Sequence, residues 1–256
     1  MTQRARRWQW RWRLAWGLVC LCPALLWAQS KFEGSGTGFF VSSDGLLVTA
    51  AHVVRGHEKI MAVIDGRLVA AQVLKTDAAN DLALLRVSKS PVPFLRLGRT
   101  DNIPVGLEVY VIGYPQINIQ GISPKFTAGI INSSAGLRGS AKHYQFSAEV
   151  QRGNSGGPLL AADGAVVGVV LSKLGPVAVK DQKMDVPQNV NYAIKASLLT
   201  ELLDGQSEVP GALSINPRSD KRPFEIYRDS VMAVVPLLVP RDQASAPPAA
   251  EPASVP

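Results

Sequence analysis

The chain is predicted to be all-β, built from short antiparallel strands, and three observations carry that prediction. From Gly34 to about Ile194, apolar and often β-branched runs of five to ten residues follow one another. No long 3.6-residue periodicity interrupts them. Asp44-Gly45, Asp65-Gly66 and Asp163-Gly164 sit between runs as tight-hairpin dipeptides. The composition, 46% hydrophobic and 18% charged, is that of a globular chain. Regular strand spacing favours a sandwich or barrel over the alternating strand-helix order of a parallel α/β protein. At 256 residues the chain is long enough for one large domain or two small ones.

In chain order, residues 1–28 come first and read as an export signal. Arg4, Arg6, Arg7, Arg11 and Arg13 precede the apolar run "LAWGLVCLCPALLWA", and Ala28 is small enough to precede a cut. The run is short for a bilayer span; an uncleaved anchor and a buried helix are the other readings. The strands that follow are "TGFFVSS", "GLLVTAAHVV", "KIMAVI", "RLVAAQVLK", "LALLRV", "EVYVIGY", "TAGIIN", "YQFSAEV", "AVVGVVLS" and "VNYAI". A helix is expected in "AIKASLLTELLDG": Ile194, Leu198 and Leu202 form one stripe beside Leu199 and Leu203, and Gly205 supplies the stop. Residues 206–221 are polar and turn-rich. "VMAVVPLLV" reads as one extra strand, confined to an edge by Pro236. The end, "RDQASAPPAAEPASVP", has the composition of a disordered tail.

The net charge of +7 suggests an acidic partner until it is located. No acidic residue precedes Glu33, and setting the five N-terminal arginines aside reduces the 27 basic residues to 22, against 20 acidic. The remainder is nearly neutral, so nucleic-acid binding loses its support. Cys20, Cys22 and all five tryptophans lie in the export segment. The mature chain therefore has no disulfide and depends on core packing.

The chemistry centres on "QRGNSGGPLL", which contains Gly-x-Ser-x-Gly with Ser155 in the middle. A serine nucleophile needs a base, and the base needs a group to fix its tautomer. The three histidines, His52, His57 and His143, all precede Ser155. An α/β-hydrolase places its histidine after the serine, so that reading fails. The remaining order is His, Asp, Ser. His52 ends an apolar run behind the small residues Thr49, Ala50 and Ala51, which leave space beside the ring. Asp81 opens "DLALLRV", where a carboxylate against an apolar run is costly unless paired. Taken singly, these are most simply a core histidine, a turn aspartate and a loop serine; the inference rests on the three together. His57 and His143 receive no role.

Five strings, "GSGTGFFVSSDGLLVTAAHVV", "DLALLRV", "IGYP", "TAGIIN" and "RGNSGGPLL", occur in the order found in trypsin-like serine peptidases of chymotrypsin fold. Over residues 34–204 the chain resembles that family, especially its disulfide-free HtrA/Deg branch. The resemblance implies two antiparallel six-stranded β-barrels packed with the active site between them, plus a short C-terminal helix. It implies a peptidase domain over 31–205, with barrels at about 31–118 and 119–195, and an extension over 206–256. By the same resemblance His52 is the general base, Asp81 its orienter and Ser155 the nucleophile. The N–H groups of Gly153 and Ser155 would form the oxyanion hole. No cofactor or metal is implied.

The resemblance also places substrate contacts. Leu171, Ser172 and Lys173 would pair with an extended polypeptide as an added strand. Glu149, Val150 and the segment from Val190 to Tyr192 would line the first specificity pocket. The two valines favour small apolar side chains; a carboxylate at Glu149 would favour Lys or Arg unless it turns outward or pairs with Arg152. The 51 residues after 205 are too few for a PDZ domain, so no PDZ-driven regulation is carried over. The expected protein is thus an exported, periplasmic or secreted serine endopeptidase acting on unfolded or extended polypeptides. The membrane would be met only through the export signal, and the oligomeric state is not set by the sequence. A catalytically silent peptide-binding envelope protein and an esterase using the same three residues are the alternatives.

Overall fold

The computed structural model describes residues 32–101, 103–171 and 189–241. Residues 1–28, read above as an export signal, Ser172, Lys173 and residues 242–256 of the Pro/Ala-rich end lie outside the described residues. The fold is two closed antiparallel barrels of six strands each. The first contains β1 (Phe32–Phe40), β2 (Leu46–Ala50), β3 (Lys59–Ile64), β4 (Arg67–Asp77), β5 (Leu82–Val87) and β12 (Val234–Pro240). Its strands are ordered β1-β12-β3-β4-β5-β2. The second contains β6 (Glu108–Gly113), β7 (Lys125–Ser133), β8 (His143–Phe146), β9 (Pro158–Ala161), β10 (Val166–Leu171) and β11 (Asn191–Lys195). Their order is β10-β11-β8-β7-β6-β9.

The turn chemistry acts as its sequence suggests. Asp65 and Gly66 join β3 to β4 in a two-residue turn with φ of 49° and 72°, and Ile64 pairs directly with Arg67. Such left-handed geometry matches the twist of the flanking strands. The apolar runs are continuous rather than alternating because many strands are covered on both faces. In β2 every residue is buried. Leu47 packs inside the first barrel with Phe40, Ile60 and Leu237, whereas Leu46 and Val48 join a layer between the barrels with Tyr110, Leu160 and Val169. A third cluster, including Val109, Tyr144, Phe146 and Leu159, fills the second barrel.

Four expectations need correction. The barrel boundary does not fall at 118/119: β6 pairs with β7 and β9, so the second barrel begins at Glu108 and the linker precedes it. His52 is not on a strand but in the single turn α1 (Ala51–Val54) that follows β2. The helix foreseen over 194–205 shrinks to a 3₁₀ turn, Ala196–Leu198, and α3 (Leu199–Leu202), because Ile194 is committed to β11 opposite Val169 and His143. (The single turn α2, Ile117–Gln120, lies between β6 and β7.) The last correction concerns "VMAVVPLLV". It does form a strand, but β12 lies inside the first barrel between β1 and β3, not at an edge.

Pro236 is tolerated in β12 because its missing N–H interrupts little. The pairing with β3 involves Leu237 and Leu238 and stops short of Pro236. On the other side, Pro236 faces Thr37, whose own N–H is directed to Ser155. The extension reaches this place along the linker: in a short parallel bridge to Gly98, Leu213 N–H donates to the Leu97 carbonyl and the Leu213 carbonyl accepts from Arg99 N–H, and α4 (Pro223–Ser230) buries Ile226. Pro223 at the first helical position and a Glu225 carboxylate accepting the Arg222 N–H at 2.9 Å start that helix.

Candidate active site

The base and its partner come from neighbouring strands of the first barrel. β2 pairs with β5 in register from Leu46–Arg86 to Ala50–Leu82, which brings α1 against the residue preceding β5. There the backbone is stitched first: Ala51 N–H donates to the Asp81 carbonyl at 2.9 Å, and His52 N–H donates to Asp81 Oδ1 at 2.8 Å. The second carboxylate oxygen, Oδ2, lies 2.7 Å from His52 Nδ1. A carboxylate accepts only, so the imidazole proton resides on Nδ1 and Nε2 is left as the basic nitrogen. Asp81 adopts φ of 54°, a left-handed conformation that aspartate tolerates better than most side chains.

The turn before Asp81 is held by Asp77, whose Oδ1 accepts the N–H groups of Ala79 and Asn80, each at 3.0 Å. Burial opposes ionisation of Asp77, but the Asn80 side chain and these N–H groups outweigh it, and its carboxyl is held below the usual range. A cleft of about 390 Å³ opens beside this pair, lined by Ala51, Val54, Arg55, His57, Ala78 and Asp81.

Ser155 belongs to the second barrel and is 3% exposed. Its turn is fixed at every carbonyl. Those of Arg152, Gly153, Asn154 and Ser155 accept from Gln116 N–H (2.8 Å), Thr37 Oγ1 (2.6 Å), Gly157 N–H (3.0 Å) and Thr37 N–H (2.9 Å), respectively. The glycines are steric requirements. Gly153 has φ of 99°, and a Cβ there would lie 2.5 Å from the Tyr114 carbonyl oxygen. At Gly156, φ 84°, a Cβ would overlap Thr49 Oγ1 and the Thr37 carbonyl. Because the Arg152 carbonyl is turned to Gln116 and the peptide is planar and trans, the Gly153 N–H points the opposite way.

The structure brings this turn beside the strand leading to His52. Gly36 marks the junction: a Cβ there would meet Val53 at 2.6 Å on one side and the Ser155 carbonyl at 3.3 Å on the other. The sequence singled out His52, Asp81 and Ser155 as a set and, by resemblance, Gly153; it missed Thr37 and Tyr114. Thr37 is completely buried and contacts the serine turn through both main chain and side chain. Its only signal was a β-branched hydroxyl residue between two glycines in a strand.

The expected specificity residues separate. Val150 is nearly fully buried in the second-barrel core with Phe146 and Val170. Glu149 is exposed; its carboxylate accepts the Gln151 amide at 3.3 Å, and Gln151 in turn accepts from Gln120 in α2 at 2.9 Å. Leu171 ends β10 opposite Tyr192, and Val190 is partly exposed one residue before β11. Of the other histidines, His57 pairs with Glu33 at 3.3 Å. His143 lies 2.9 Å from Ser140 Oγ, and burial, assisted by Lys142, pushes its imidazole below its ordinary value.

A two-barrel fold with a carboxylate-paired histidine beside a rigid serine turn defines a class, and the sequence comparisons agree with it. The trypsin-like peptidase domain family profile matches residues 36–169, and the chain belongs to that family. It is 41% identical over 183 residues to an uncharacterised Sinorhizobium fredii protein, y4bJ, covering 70% of this chain and 29% of that one. A probable periplasmic serine endoprotease, DegP-like, of Chlamydia pneumoniae is 37% identical over 146 residues, 55% of this chain and 29% of its own length. The serine protease HTRA1 of Xenopus laevis is 39% identical over 144 residues, 53% of this chain and 30% of its own. The chain therefore spans about three tenths of the length of these relatives.

Proposed function

We propose that the protein is an exported serine endopeptidase acting through His52, Asp81 and Ser155. The observation that carries this reading is the His52–Asp81 pair, made by two hydrogen bonds of 2.8 and 2.7 Å, set beside a turn whose four carbonyls are all held. Asp81 keeps the imidazole proton on Nδ1 and stabilises the imidazolium that forms. His52 Nε2 takes the Ser155 hydroxyl proton as Oγ attacks the scissile carbonyl, then delivers it to the leaving amine. The acyl-enzyme is hydrolysed by water activated in the same way. The oxyanion is held by the N–H groups of Gly153 and Ser155, the former oriented by the Gln116 bond to the preceding carbonyl.

The substrate is an unfolded or extended polypeptide, paired along Leu171 and the residues after it. The first pocket is apolar and shallow: the exposed Glu149 carboxylate engages Gln151, which supports the outward reading over a charged pocket floor. Export to the periplasm or beyond is supported by the arginine-rich, apolar N-terminus and by the periplasmic designation of the Chlamydia relative.

The test is covalent labelling of the folded protein with a serine-directed phosphonate, followed by cleavage of a peptide library. Labelling at Ser155 that vanishes in Ser155→Ala and slows strongly in His52→Ala is the expected result, with cleavage after Val, Ala or Ile. An unlabelled, folded wild type refutes the catalytic reading, and cleavage confined to Lys and Arg refutes the apolar pocket.

A further inference from the structure

We propose that Thr37 is a positioning residue for the reaction, a barrel-to-barrel clamp that holds the serine turn in its productive shape. This rests on the reading of Ser155 as nucleophile. The ladder between β1 and β2 runs through Phe39–Val48 and Phe40–Leu47 and stops short of Thr37. Where β2 leaves, the serine turn of the other barrel takes its place: Thr37 N–H donates to the Ser155 carbonyl at 2.9 Å. The Thr37 hydroxyl then makes a two-way bridge within the buried junction. Oγ1 donates to the Gly153 carbonyl at 2.6 Å and accepts the Tyr114 N–H at 3.0 Å. The Thr37 carbonyl is itself held by Thr49 Oγ1 at 2.7 Å, three residues before His52.

One residue thus joins three chain segments: the approach to His52, the exit of β6 at Tyr114, and the serine turn, which it grips at both Gly153 and Ser155. The Gly153 carbonyl is the point of leverage. It belongs to the peptide between the two proposed oxyanion donors, so its direction sets the tilt of both neighbouring N–H groups. Thr37 is fully buried, so water does not replace a lost hydroxyl there without space being made. Valine has the shape of threonine but neither bond, leaving the Gly153 carbonyl and the Tyr114 N–H unanswered.

The experiment compares the full wild-type chain with Thr37→Val, Thr37→Ala and Thr37→Ser. It measures the rate of Ser155 phosphonylation, kcat and KM on a peptide substrate, and amide hydrogen exchange over residues 152–157. Thr37→Val is expected to acylate about 100-fold more slowly, the scale of a small misplacement of reacting groups. Its KM should move little, and the serine turn should exchange faster. Thr37→Ser, which keeps the hydroxyl, should restore both rate and protection; a purely packing role for the methyl group would instead spare Val and impair Ser. Wild-type acylation and exchange in Thr37→Val overturn the proposal, as does an equal defect in Thr37→Ser. If Thr37→Val does not unfold cooperatively, Thr37→Ala against Thr37→Ser decides by the same readouts. An unlabelled wild type with faster turn exchange in Thr37→Val sinks the peptidase reading and leaves the clamp standing. A labelled wild type with an unaffected Thr37→Val does the reverse.

Discussion

Leu237→Ala should be among the most damaging single changes remote from the proposed catalytic residues. Leu237 is fully buried in the first-barrel core although it lies more than 190 positions beyond β1 in the chain. Its register partners are Gly36 and Ala62, and Gly38 lies beside it: a Cβ at Gly38 would be 3.0 Å from Leu237 Cδ1. Residues this small have no side chain to swing into the space a truncated leucine leaves. Leu→Ala substitutions cost about 2–5 kcal/mol, more where the cavity cannot collapse, so about 4 kcal/mol is expected here. For a domain of this size that lowers the melting midpoint by roughly 8–16 °C. Met232→Ala, 61% exposed, is the control and should lie within about 0.5 kcal/mol of wild type. Removing residues 222–241 strips five buried valine and leucine side chains, Val234, Val235, Leu237, Leu238 and Val239, from the barrel. At about 1.5–3 kcal/mol each, an upper estimate, the loss is roughly 8–15 kcal/mol, as large as the net stability of most domains. That truncated chain should not fold alone, and a synthetic peptide of residues 222–241 should restore a cooperative transition. Circular dichroism during heating measures all three. A truncated chain that melts cooperatively at the wild-type midpoint, or a Leu237→Ala no weaker than Met232→Ala, would refute the role assigned to β12.

Two further outcomes follow from the site. Asp81→Asn keeps the shape but lets the imidazole take the wrong tautomer, so kcat should fall roughly ten-thousand-fold with little change in KM. Steady-state kinetics on a peptide ester measures it, and a loss under about tenfold would mean that His52 is oriented by something else. For His143, burial and Lys142 hold the imidazole below the ordinary 6.5, so the proton is bound preferentially by the unfolded chain. Its contribution to stability is therefore level above pH 6.5 and declines as pH falls from there through the lower folded value. His143→Gln should flatten part of the wild-type decline in melting midpoint over that window, and parallel wild-type and variant curves would contradict the sign.

What the sequence revealed was mostly what local chemistry dictates. β2 and β5 were legible because residues buried on both faces must be apolar throughout; His52, Asp81 and Ser155 stood out only as a set, since each alone reads as an ordinary core, turn or loop residue. The helix at 199–202 was overextended because the 3.6-residue stripe ran back into Ile194, which the sheet claims through β11. The barrel boundary was misplaced because nothing local says whether β6 joins the strands before it or those after it. The place of β12 was hidden for the same reason: an isolated strand with a proline reads as an edge, and only closure of the barrel, with Thr37 turned toward the serine turn, makes Pro236 harmless. Thr37 itself looked like any β-strand threonine; its four partners come from positions 49, 114, 153 and 155.

Tyr114 connects these two hidden features. Its N–H meets Thr37 Oγ1, while its hydroxyl donates to the Val234 carbonyl at 3.2 Å, where β12 begins. Burial pushes the phenol up to about 12, so it stays protonated, and remains a donor, at any pH at which the protein works. The C-terminal strand is thus fastened to the side chain of Tyr114, and the serine turn, through Thr37, to its main chain. Loosening β12 should then disturb Ser155 before the barrel unfolds, so Leu237→Ala should lose acylation rate at temperatures well below its own melting midpoint. Thr37→Val, by contrast, cuts the connection at the turn itself and should lose rate at every temperature, its two unanswered buried groups lowering the melting midpoint as well. If Leu237→Ala kept full acylation up to its transition, the strand would be a purely structural closure, and the coupling through Tyr114 would be wrong.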